Sequence, residues 1–395
     1  MQHQSIRECI ALDHRSFDGS TAGKCIKTLK GYYAFIPNPL PPKIHYDNKL
    51  IRQLSEADRL LGELSGTARL LPNPYLLISP YVRREAVSSS RIEGTQASLG
   101  DLFFYEAEGD KESKTSDVRE VHNYVTALEH GLRRLKSLPV SVRLLREIHE
   151  ILMQKVRGEY ATPGELRRSQ NWIGPLGSAL EQAVFIPPPP EVMPSALTDW
   201  ENYYHSGSEE PPLVKCALLH YQFEAIHPFL DGNGRIGRLI IVFFLKERQY
   251  LTQPLLYLSS FFEKQRSEYY SKLLSVSQKG DWRGWIEFFL QGITTQSSHA
   301  LADAKRILEL NKSYKMQLEG SKKVPESAHR LIDETFSNPV ISISRLCDKW
   351  NLPFNSVKNG VNRLVELKIL RLATTHRKRN KLYVADKLMK LLTRT

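Results

Sequence analysis

The segment at residues 226–238, IHPFLDGNGRIGR, constrains the fold more than any other part of the chain. Helix-like apolar patterns flank it on both sides. Pro228 disfavours helical geometry at the residue before it, so the preceding helix should end at His227. Gly232 and Gly234 permit backbone conformations that turn successive N–H groups towards one point. The segment therefore predicts two helices joined by a sharp loop, in a mainly α-helical protein.

The side chains of this segment are suited to a polyphosphate. A helix that begins near Asn233 would aim its positive N-terminus at the loop, with Arg235 and Arg238 one turn apart on it. Asp231 offers a hard oxygen ligand of the kind that Mg²⁺ prefers. Histidine is the side chain whose ordinary pKa lies closest to neutrality, so His227 is the natural general base.

Other interpretations of the segment are weaker. Residues 232–237 formally match GxGxxG, but they lack the preceding strand and the βαβ context of a dinucleotide site. The P-loop pattern GxxxxGK[ST] does not occur in the chain, so a P-loop fold is excluded. His220, His227 and Asp231 fit no common zinc-ligand spacing, and no cysteine supports them. A simple capping loop does not explain a His, an Asp, an Asn and two Arg within twelve positions.

The sequence HPFLDGNGRIGR resembles the motif HPFx[D/E]GNGRxxR of the Fic (filamentation induced by cAMP) family at every fixed position. The segments GELRRSQNWIG, AVFIPPPP and QRSEYY extend the resemblance over about residues 36–308. It implies a Fic-type helical core with a β-hairpin flap. It also implies protein adenylylation, the transfer of AMP from ATP to a Ser, Thr or Tyr hydroxyl of a target protein or of the chain itself, with release of pyrophosphate.

The roles that the resemblance implies fall on matching positions. His227 would deprotonate the target hydroxyl, Asp231 would hold Mg²⁺, and Arg235 and Arg238 would bind the distal phosphates. The other positions expected on the nucleotide side are Glu93, Gly232, Asn233, Gly234, Ile236, Gly237 and Tyr269, of which Gly232, Asn233 and Gly234 would form the anion hole. The flap residues expected to dock the target segment as an added strand are Gln182, Ala183, Val184, Phe185 and Ile186. For Tyr269 the alternative is an ordinary helix aromatic.

An earlier segment, from Ser89 to Gly94, is similar to the family's inhibitory motif [S/T]xxxE[G/N]. The resemblance implies that Glu93 pairs with Arg238 and forces ATP into an unproductive pose. The alternative is a plain helix end capped by Gly94. In some relatives the same glutamate positions a water for the reverse reaction, so removal of AMP is a further alternative.

The C-terminal part of the chain is strongly basic. The chain carries a formal net charge of +12, and residues 321–395 hold 16 Lys and Arg against 6 Asp and Glu. From residue 326 the pattern of three helices and two strands resembles a winged helix-turn-helix domain. If it binds DNA, the residues facing the groove would be Lys358, Asn359, Asn362 and Arg363, and those meeting phosphates would be Arg377, Lys378 and Arg379. The alternative is a module for dimerisation or target docking.

These patterns predict four consecutive segments. We expect an N-terminal helical region with the inhibitory motif at 1–115, a catalytic core at 116–310, a linker at 311–325 and the winged domain at 326–395. No signal-peptide pattern and no run of about 20 apolar residues is found, so we expect a cytoplasmic protein with no membrane span. A homodimer is expected by analogy with the family.

Two further functions stay open at this point. One is a DNA-binding regulator whose Fic body senses a nucleotide, although the intact His227 argues against lost catalysis. The other is transfer of a different nucleotide or of a phosphocholine group, which the motif alone does not separate from AMP transfer.

Overall fold

The computed structural model describes residues 13–69, 73–109, 116–156, 162–175, 177–322, 324–373 and 380–393. Helices dominate these residues, which confirms the predicted mainly helical class. The chain divides into two compact units that alternate along the sequence. Unit 1 comprises Met1–Asp58, Glu129–Glu247 and Lys264–Gly292, and unit 2 comprises Arg59–Leu128, Arg248–Glu263 and Ile293–Thr395.

The helices and strands of the described residues have the following bounds. The α-helices are α1 (Asn48–Arg69), α2 (Tyr75–Ile92), α3 (Leu99–Glu108), α4 (Ser116–Arg134), α5 (Val142–Leu152), α6 (Met193–His205), α7 (Pro212–Ile226), α8 (Asn233–Glu247), α9 (Ser259–Lys264), α10 (Arg266–Lys279), α11 (Trp282–Glu319), α12 (Glu326–Ser337), α13 (Ile343–Trp350), α14 (Phe354–Glu366) and α15 (Asp386–Thr393). The strands are β1 (Gly23–Lys27), β2 (Tyr33–Pro37), β3 (Val340–Ser342), β4 (Arg371–Leu372) and β5 (Leu382–Val384). Among the described residues, no helix is both long and apolar enough to span a membrane.

The core of unit 1 is built around α7 and α8, which pack against each other. Apolar residues occur on all sides of α7, and every residue from Leu213 to Ile226 is buried, as expected for a central helix. Helix α6 packs on α7, and α5 packs on α8. Two indole N–H groups donate to carbonyls of α7, Trp200 to Leu219 and Trp285 to Ala217, each at 2.9 Å. These contacts hold the middle of α7, the helix after which the motif begins.

The N-terminal part of unit 1 contains a strand pair that the sequence analysis did not predict. Strands β1 and β2 pair antiparallel, with Gly23 opposite Pro37 and Lys27 opposite Tyr33. The backbone N–H of Phe35 donates to the carbonyl of Ile186 at 2.8 Å. The pair is thus hydrogen-bonded to the flap segment at Ile186, and it lies within residues 1–115, which were expected to be helical.

Unit 2 contains the basic C-terminal segment, which is packed onto earlier helices. Strands β3, β5 and β4 form an antiparallel sheet in that order, and α12 and α13 pack on α14. Helix α12 also packs on α2, while β3 and α15 pack on α3. Helix α11 continues to Glu319, so residues 311–319, which were expected in a linker, are helical. Residues 374–379, with the predicted phosphate contacts Arg377, Lys378 and Arg379, lie outside the described residues.

Candidate functional site

The motif forms the turn between α7 and α8, as the proline predicted. Helix α7 ends at Ile226, and His227 caps it in the left-handed conformation, with φ 49° and ψ 60°. Its backbone N–H donates to the carbonyl of Phe223 at 3.0 Å. A non-glycine residue in this region of φ/ψ space carries strain that its surroundings must hold. The left-handed backbone conformation of His227 therefore sets the direction of its side chain.

The orientation of the His227 ring assigns its two nitrogens. Nδ1 lies 3.2 Å from the backbone carbonyl oxygen of Glu224. A carbonyl oxygen only accepts hydrogen bonds, so Nδ1 carries the proton and Nε2 is the unprotonated nitrogen of the neutral ring. The side chain is half-buried. This arrangement suits a general base that acts through Nε2.

Two residues that the sequence analysis did not select hold the turn in place. Arg167 is buried, and its Nε donates to the His227 carbonyl at 2.8 Å, while its backbone N–H donates to Pro228 at 2.9 Å. The same guanidinium donates to the carbonyl of Pro188 in the flap segment. Burial lowers the pKa of Arg167 to about 10. Asn171 donates from Nδ2 to Phe229 at 2.8 Å.

Arg167 and Asn171 belong to the segment GELRRSQNWIG, which was noted only as part of the resemblance. Their signal in the sequence was weak, because a basic and an amide residue before a proline run are ordinary on a surface. The structure gives them carbonyls at the C-terminal end of α7, where a cation is favourably placed. They link the flap segment to the backbone beside His227.

The loop after Phe229 is closed by Asn233. Its Oδ1 accepts the Phe229 N–H at 2.8 Å, and its Nδ2 donates to the Phe229 carbonyl at 2.7 Å. Gly232 has a φ of +77°, and a Cβ there would lie 3.0 Å from the sulfur of Met153 and 3.5 Å from the ring of His149. Gly234, by contrast, lies in the first turn of α8. Only one of the two glycines therefore uses left-handed geometry.

His149 supports the loop from beneath. Its Nδ1 accepts the N–H of Gly164 at 2.9 Å, so Nε2 carries the proton and donates to the carbonyl of Asp231 at 3.0 Å. The ring stacks on Phe229 with 3.9 Å between centroids. Burial, and then the charge of Arg235, lower the pKa of His149 to about 4. His149 is therefore neutral and structural. The sequence offers no reason to select it, because it is an isolated histidine on α5.

The charged groups of the motif gather at the N-terminus of α8. The side chain of Asp231 is 51% exposed, and its Oδ1 accepts the N–H of Gly232 and lies 3.6 Å from Nη2 of Arg235. Arg235 and Arg238 are buried on the first turns of the helix, at 3% and 2% exposure. Ile236 between them is fully buried. Two guanidinium groups and a helix N-terminus thus give the loop a positive field suited to an anion.

The structure places Tyr269 in the core of unit 1. It is 1% exposed, and its hydroxyl lies 2.8 Å from Nε2 of His220, whose Nδ1 lies 2.9 Å from the carbonyl of Gly237. Burial lowers the pKa of His220 to about 3. Both ring nitrogens of His220 thus have partners inside the protein. His220 is therefore not arranged to bind a metal ion together with His227. The packing alternative considered for Tyr269 fits these contacts.

Gly237 is needed where α7 and α8 approach. A Cβ at this position would collide with the carboxylate of Glu224 and lie 3.3 Å from Cε1 of His220. Gly237 thus allows α7 and α8 to pack closely, because it has no side chain at the point of contact.

The flap residues form a loop closed by one antiparallel bridge, between Ile173 and Phe185. Val184 donates to the Ile173 carbonyl at 2.8 Å, and Ile173 donates to Phe185 at 2.8 Å. Gln182 ends a short 3₁₀ turn and is exposed, as is Val184, whereas Ala183, Phe185 and Ile186 are buried. The prolines at 187–190 have no N–H, so a ladder cannot continue there, which explains a bridge in place of the expected strand.

The two residues of the inhibitory motif lie in unit 2. Ser89 is fully buried within α2, and Glu93 is the exposed residue that caps the helix. Gly94 follows with a φ of +100°, and its N–H donates to Arg91 at 3.0 Å. The helix end proposed as the alternative interpretation is therefore present, and it leaves the Glu93 carboxylate exposed.

Among the described side chains, no group of three or more His, Cys, Asp or Glu is arranged to hold a metal ion. Asp231 nevertheless fits Mg²⁺, because its carboxylate is accessible and lies beside the anion-binding end of α8. Mg²⁺ commonly takes one or two protein carboxylates and completes its shell with phosphates and waters.

Comparisons with known proteins agree with this geometry. Residues 51–133 match the family model described as Fic/DOC family N-terminal, and residues 139–245 match that of the Fic/DOC family. A crystal structure of a Fic family protein from Desulfovibrio desulfuricans G20 superposes with a TM-score of 0.58 at 19% identity, covering 88% of this chain and 98% of that one. This likeness concerns the fold.

Curated relatives match a shorter stretch. Protein adenylyltransferase Fic of Drosophila willistoni is 29% identical over 175 residues, which is 42% of this chain and 31% of the relative. The protein of the same name from Drosophila melanogaster is 27% identical, with 42% and 32% covered. The chain thus spans about a third of the length of these relatives. Residues 51–133 are thus similar to the Fic/DOC family N-terminal region, and residues 139–245 are similar to the Fic/DOC family.

Proposed function

We propose that the chain is a protein adenylyltransferase, which transfers AMP from ATP to a Ser, Thr or Tyr hydroxyl of a target protein or of itself. The observation that carries the proposal is the anchored imidazole of His227 beside the N-terminus of α8, where Arg235 and Arg238 are buried. A base and a polyphosphate site next to each other suit attack of a hydroxyl on a nucleotide phosphate. The curated relatives carry the name of this activity.

In the proposed reaction, Nε2 of His227 takes the proton of the target hydroxyl. The hydroxyl oxygen forms a bond to the α-phosphorus of ATP, and the bond from that phosphorus to the bridging oxygen breaks. Pyrophosphate leaves with the electron pair of that bond. The imidazolium proton is then lost to solvent or to the leaving group.

The other motif residues would bind and orient the nucleotide. Arg235 and Arg238 would hold the phosphates, and the N-terminal N–H groups of α8 would face the transferred group. Bound through Asp231, Mg²⁺ would neutralise part of the phosphate charge. A target segment would add to the exposed side of the flap at Val184, where backbone pairing carries little sequence specificity.

The test is incubation of the purified chain with α-labelled ATP, followed by mass spectrometry of modified residues. We expect label on protein with the unaltered motif, and at least a 100-fold loss with His227→Ala. The control is His299→Ala, because His299 is an exposed histidine on α11 in unit 2. Equal labelling by the His227→Ala protein would contradict the proposal. Parallel incubations with UTP and GTP decide the nucleotide.

We further propose that Glu93 restrains this activity. The support is the motif at residues 89–94 and the exposure of the Glu93 carboxylate at the end of α2. Glu93→Gly should raise self-labelling several-fold, whereas Glu108→Gly, at the end of α3, should not. No gain with Glu93→Gly would refute the restraint while leaving the transfer proposal intact. Release of AMP from labelled protein would indicate the reverse reaction. A cytoplasmic location and a homodimer remain predictions from the sequence.

A further inference from the structure

Met153 packs against the anion-binding loop and contacts two of its residues. It caps the C-terminal end of α5, where its N–H donates to the carbonyl of His149 at 3.0 Å, and its side chain is fully buried. Its sulfur lies 3.5 Å from Nη2 of Arg235. The same sulfur would lie 3.0 Å from a Cβ at Gly232. The thioether thus lies against both the glycine of the loop and the guanidinium on the first turn of α8.

The nitrogen that the sulfur contacts also faces a carboxylate. Oδ1 of Asp231 lies 3.6 Å from the same Nη2, but the Asp231 side chain is 51% exposed, whereas Met153 lies in the core. Asp231 is also the residue proposed to hold Mg²⁺, and a carboxylate that binds a cation offers less negative charge to a guanidinium. The sulfur is therefore the acceptor whose position does not depend on what Asp231 binds.

A thioether has properties that suit this position. It is a weak hydrogen-bond acceptor without charge, so it orients an N–H group without neutralising the guanidinium. A carboxylate in its place would pair with Arg235 and compete with a phosphate. A branched alkyl group would fill the space but would accept no hydrogen bond. Arg235 is buried, where the loss of an acceptor is most costly.

We propose that Met153 is a positioning residue for the phosphate site, because its sulfur orients the Arg235 guanidinium towards a bound polyphosphate. The inference rests on the proposed function in assigning Arg235 to the phosphates. It adds a residue from the end of α5, outside the motif, that would not touch the nucleotide. It also gives position 232 a second requirement for glycine besides its φ of +77°, since a side chain there would displace the sulfur.

The experiment compares two substitutions that separate hydrogen bonding from packing. Met153→Leu keeps an apolar side chain of similar volume and removes the acceptor, whereas Met153→Gln keeps an acceptor and adds a buried polar group. Isothermal titration calorimetry of the full-length chain with inorganic pyrophosphate in MgCl₂ measures anion affinity without any transfer reaction. Thermal unfolding of the same samples measures their stability.

We expect Met153→Leu to weaken pyrophosphate binding about fivefold, and Met153→Gln to weaken it by less than about twofold. The Tm values should have the opposite order, with Met153→Gln the less stable protein, because it buries an additional amide. In self-labelling, Met153→Leu should raise KM for ATP by a similar factor and change kcat by less than about twofold. The matched control is Met193→Leu, a buried methionine at the start of α6, which should bind pyrophosphate normally.

Three results would overturn the inference. They are no pyrophosphate binding by the unaltered chain, unchanged binding in Met153→Leu, and weaker binding by a folded Met153→Gln than by Met153→Leu, which would make Met153 a packing residue only. If Met153→Gln does not fold, the comparison of Met153→Leu with Met193→Leu decides. Weaker binding by Met153→Leu in a chain that transfers no AMP would support the inference and contradict adenylyl transfer.

Discussion

At the scale of single residues, backbone carbonyls organise the site as much as charged pairs do. Arg167 places a buried guanidinium against the carbonyls of His227 and Pro188, so one side chain connects the strained cap of α7 with the flap segment. Five fixed N–H donors make arginine suited to several carbonyls at once, whereas lysine offers a compact ammonium. The orientation of the proposed base thus depends on a residue that would not touch substrate.

We predict that Arg167→Lys lowers kcat for self-labelling about 10- to 100-fold with little change in KM for ATP, because a misplaced base slows the chemical step. The measurement is initial rates over a range of ATP concentrations, with circular dichroism to check folding. Arg168→Lys is the matched control, since Arg168 is exposed next to it. An unchanged kcat, or a loss confined to KM, would contradict a positioning role.

Two buried histidines give unit 1 a dependence on acid. Burial lowers the pKa of His149 to about 4 and of His220 to about 3, from 6.5 for both in an unfolded chain. Below pH 6.5 the unfolded state binds protons that the folded state does not bind, so stability falls as pH falls towards 4. Well above pH 6.5 both histidines are neutral in the folded and the unfolded state, so their protonation no longer changes stability.

We predict that each histidine lowers the free energy of unfolding by about 2 kcal/mol between pH 7 and pH 5. Urea unfolding followed by tryptophan fluorescence measures it, because Trp200 and Trp285 are buried in unit 1. In His149→Gln the difference between the two pH values should shrink by about 2 kcal/mol, whatever the stability at pH 7. In the exposed-site control His299→Gln it should not change. An unaltered pH dependence in His149→Gln would refute the assignment.

Sequence reasoning succeeded at the residue scale where chemistry and backbone agree. Pro228 placed the end of α7, and the motif brought Asp231, Arg235 and Arg238 to one helix start. Arg167 and His149 were missed because their partners are backbone groups distant in sequence. A pattern of side chains along the chain does not show which carbonyl lies opposite.

At the scale of elements, the spacing of α7 and α8 depends on Gly237. Alanine is the better helix former by about 1 kcal/mol in a free helix position. Here a Cβ would meet the carboxylate of Glu224, a buried group with little freedom to move. Close packing therefore favours glycine at position 237, although alanine has the higher helix propensity. For this reason the apolar periodicity predicted the two helices but not how closely they approach.

We predict that Gly237→Ala lowers the free energy of unfolding by about 1–3 kcal/mol through overpacking. Gly62→Ala is the control with the opposite sign. Gly62 is exposed within α1 and a Cβ there would meet nothing within 4 Å, so alanine should stabilise by about 0.5–1 kcal/mol. Urea unfolding at pH 7 compares the two. Stabilisation by Gly237→Ala would show that the helices separate at no cost.

At the scale of the whole molecule, the linear order of motifs and the compact units differ. The sequence predicts four consecutive segments, whereas each unit is assembled from three separate stretches of chain. A charge count marks residues 321–395 as distinct, but it carries no information on what they pack against. The structure gives them partners within unit 2, where α12 packs on α2 and β3 on α3.

Hydrogen bonds reinforce that packing. Oγ of Ser79 donates to the carbonyl of Ser337 at 2.8 Å, and Nδ2 of Asn338 donates to the carbonyl of Phe103 at 3.2 Å. The buried apolar residues of α12 are Ala328, Leu331, Ile332 and Phe336. Removal of the segment would expose apolar surface on both sides of this contact, at roughly 1.5–3 kcal/mol for each large side chain.

We therefore predict that a chain ending at Gly320 has a Tm lower by at least about 5 °C and binds the dye ANS more strongly than the full chain. Truncation also removes an excess of basic residues, so the comparison is made at 50 and 500 mM salt. A loss of packing persists at high salt, whereas a purely electrostatic effect is screened. Equal Tm values and equal dye binding for the two proteins would mean that the basic segment is an independent appendage, because its removal would then expose no apolar surface on α2 and α3.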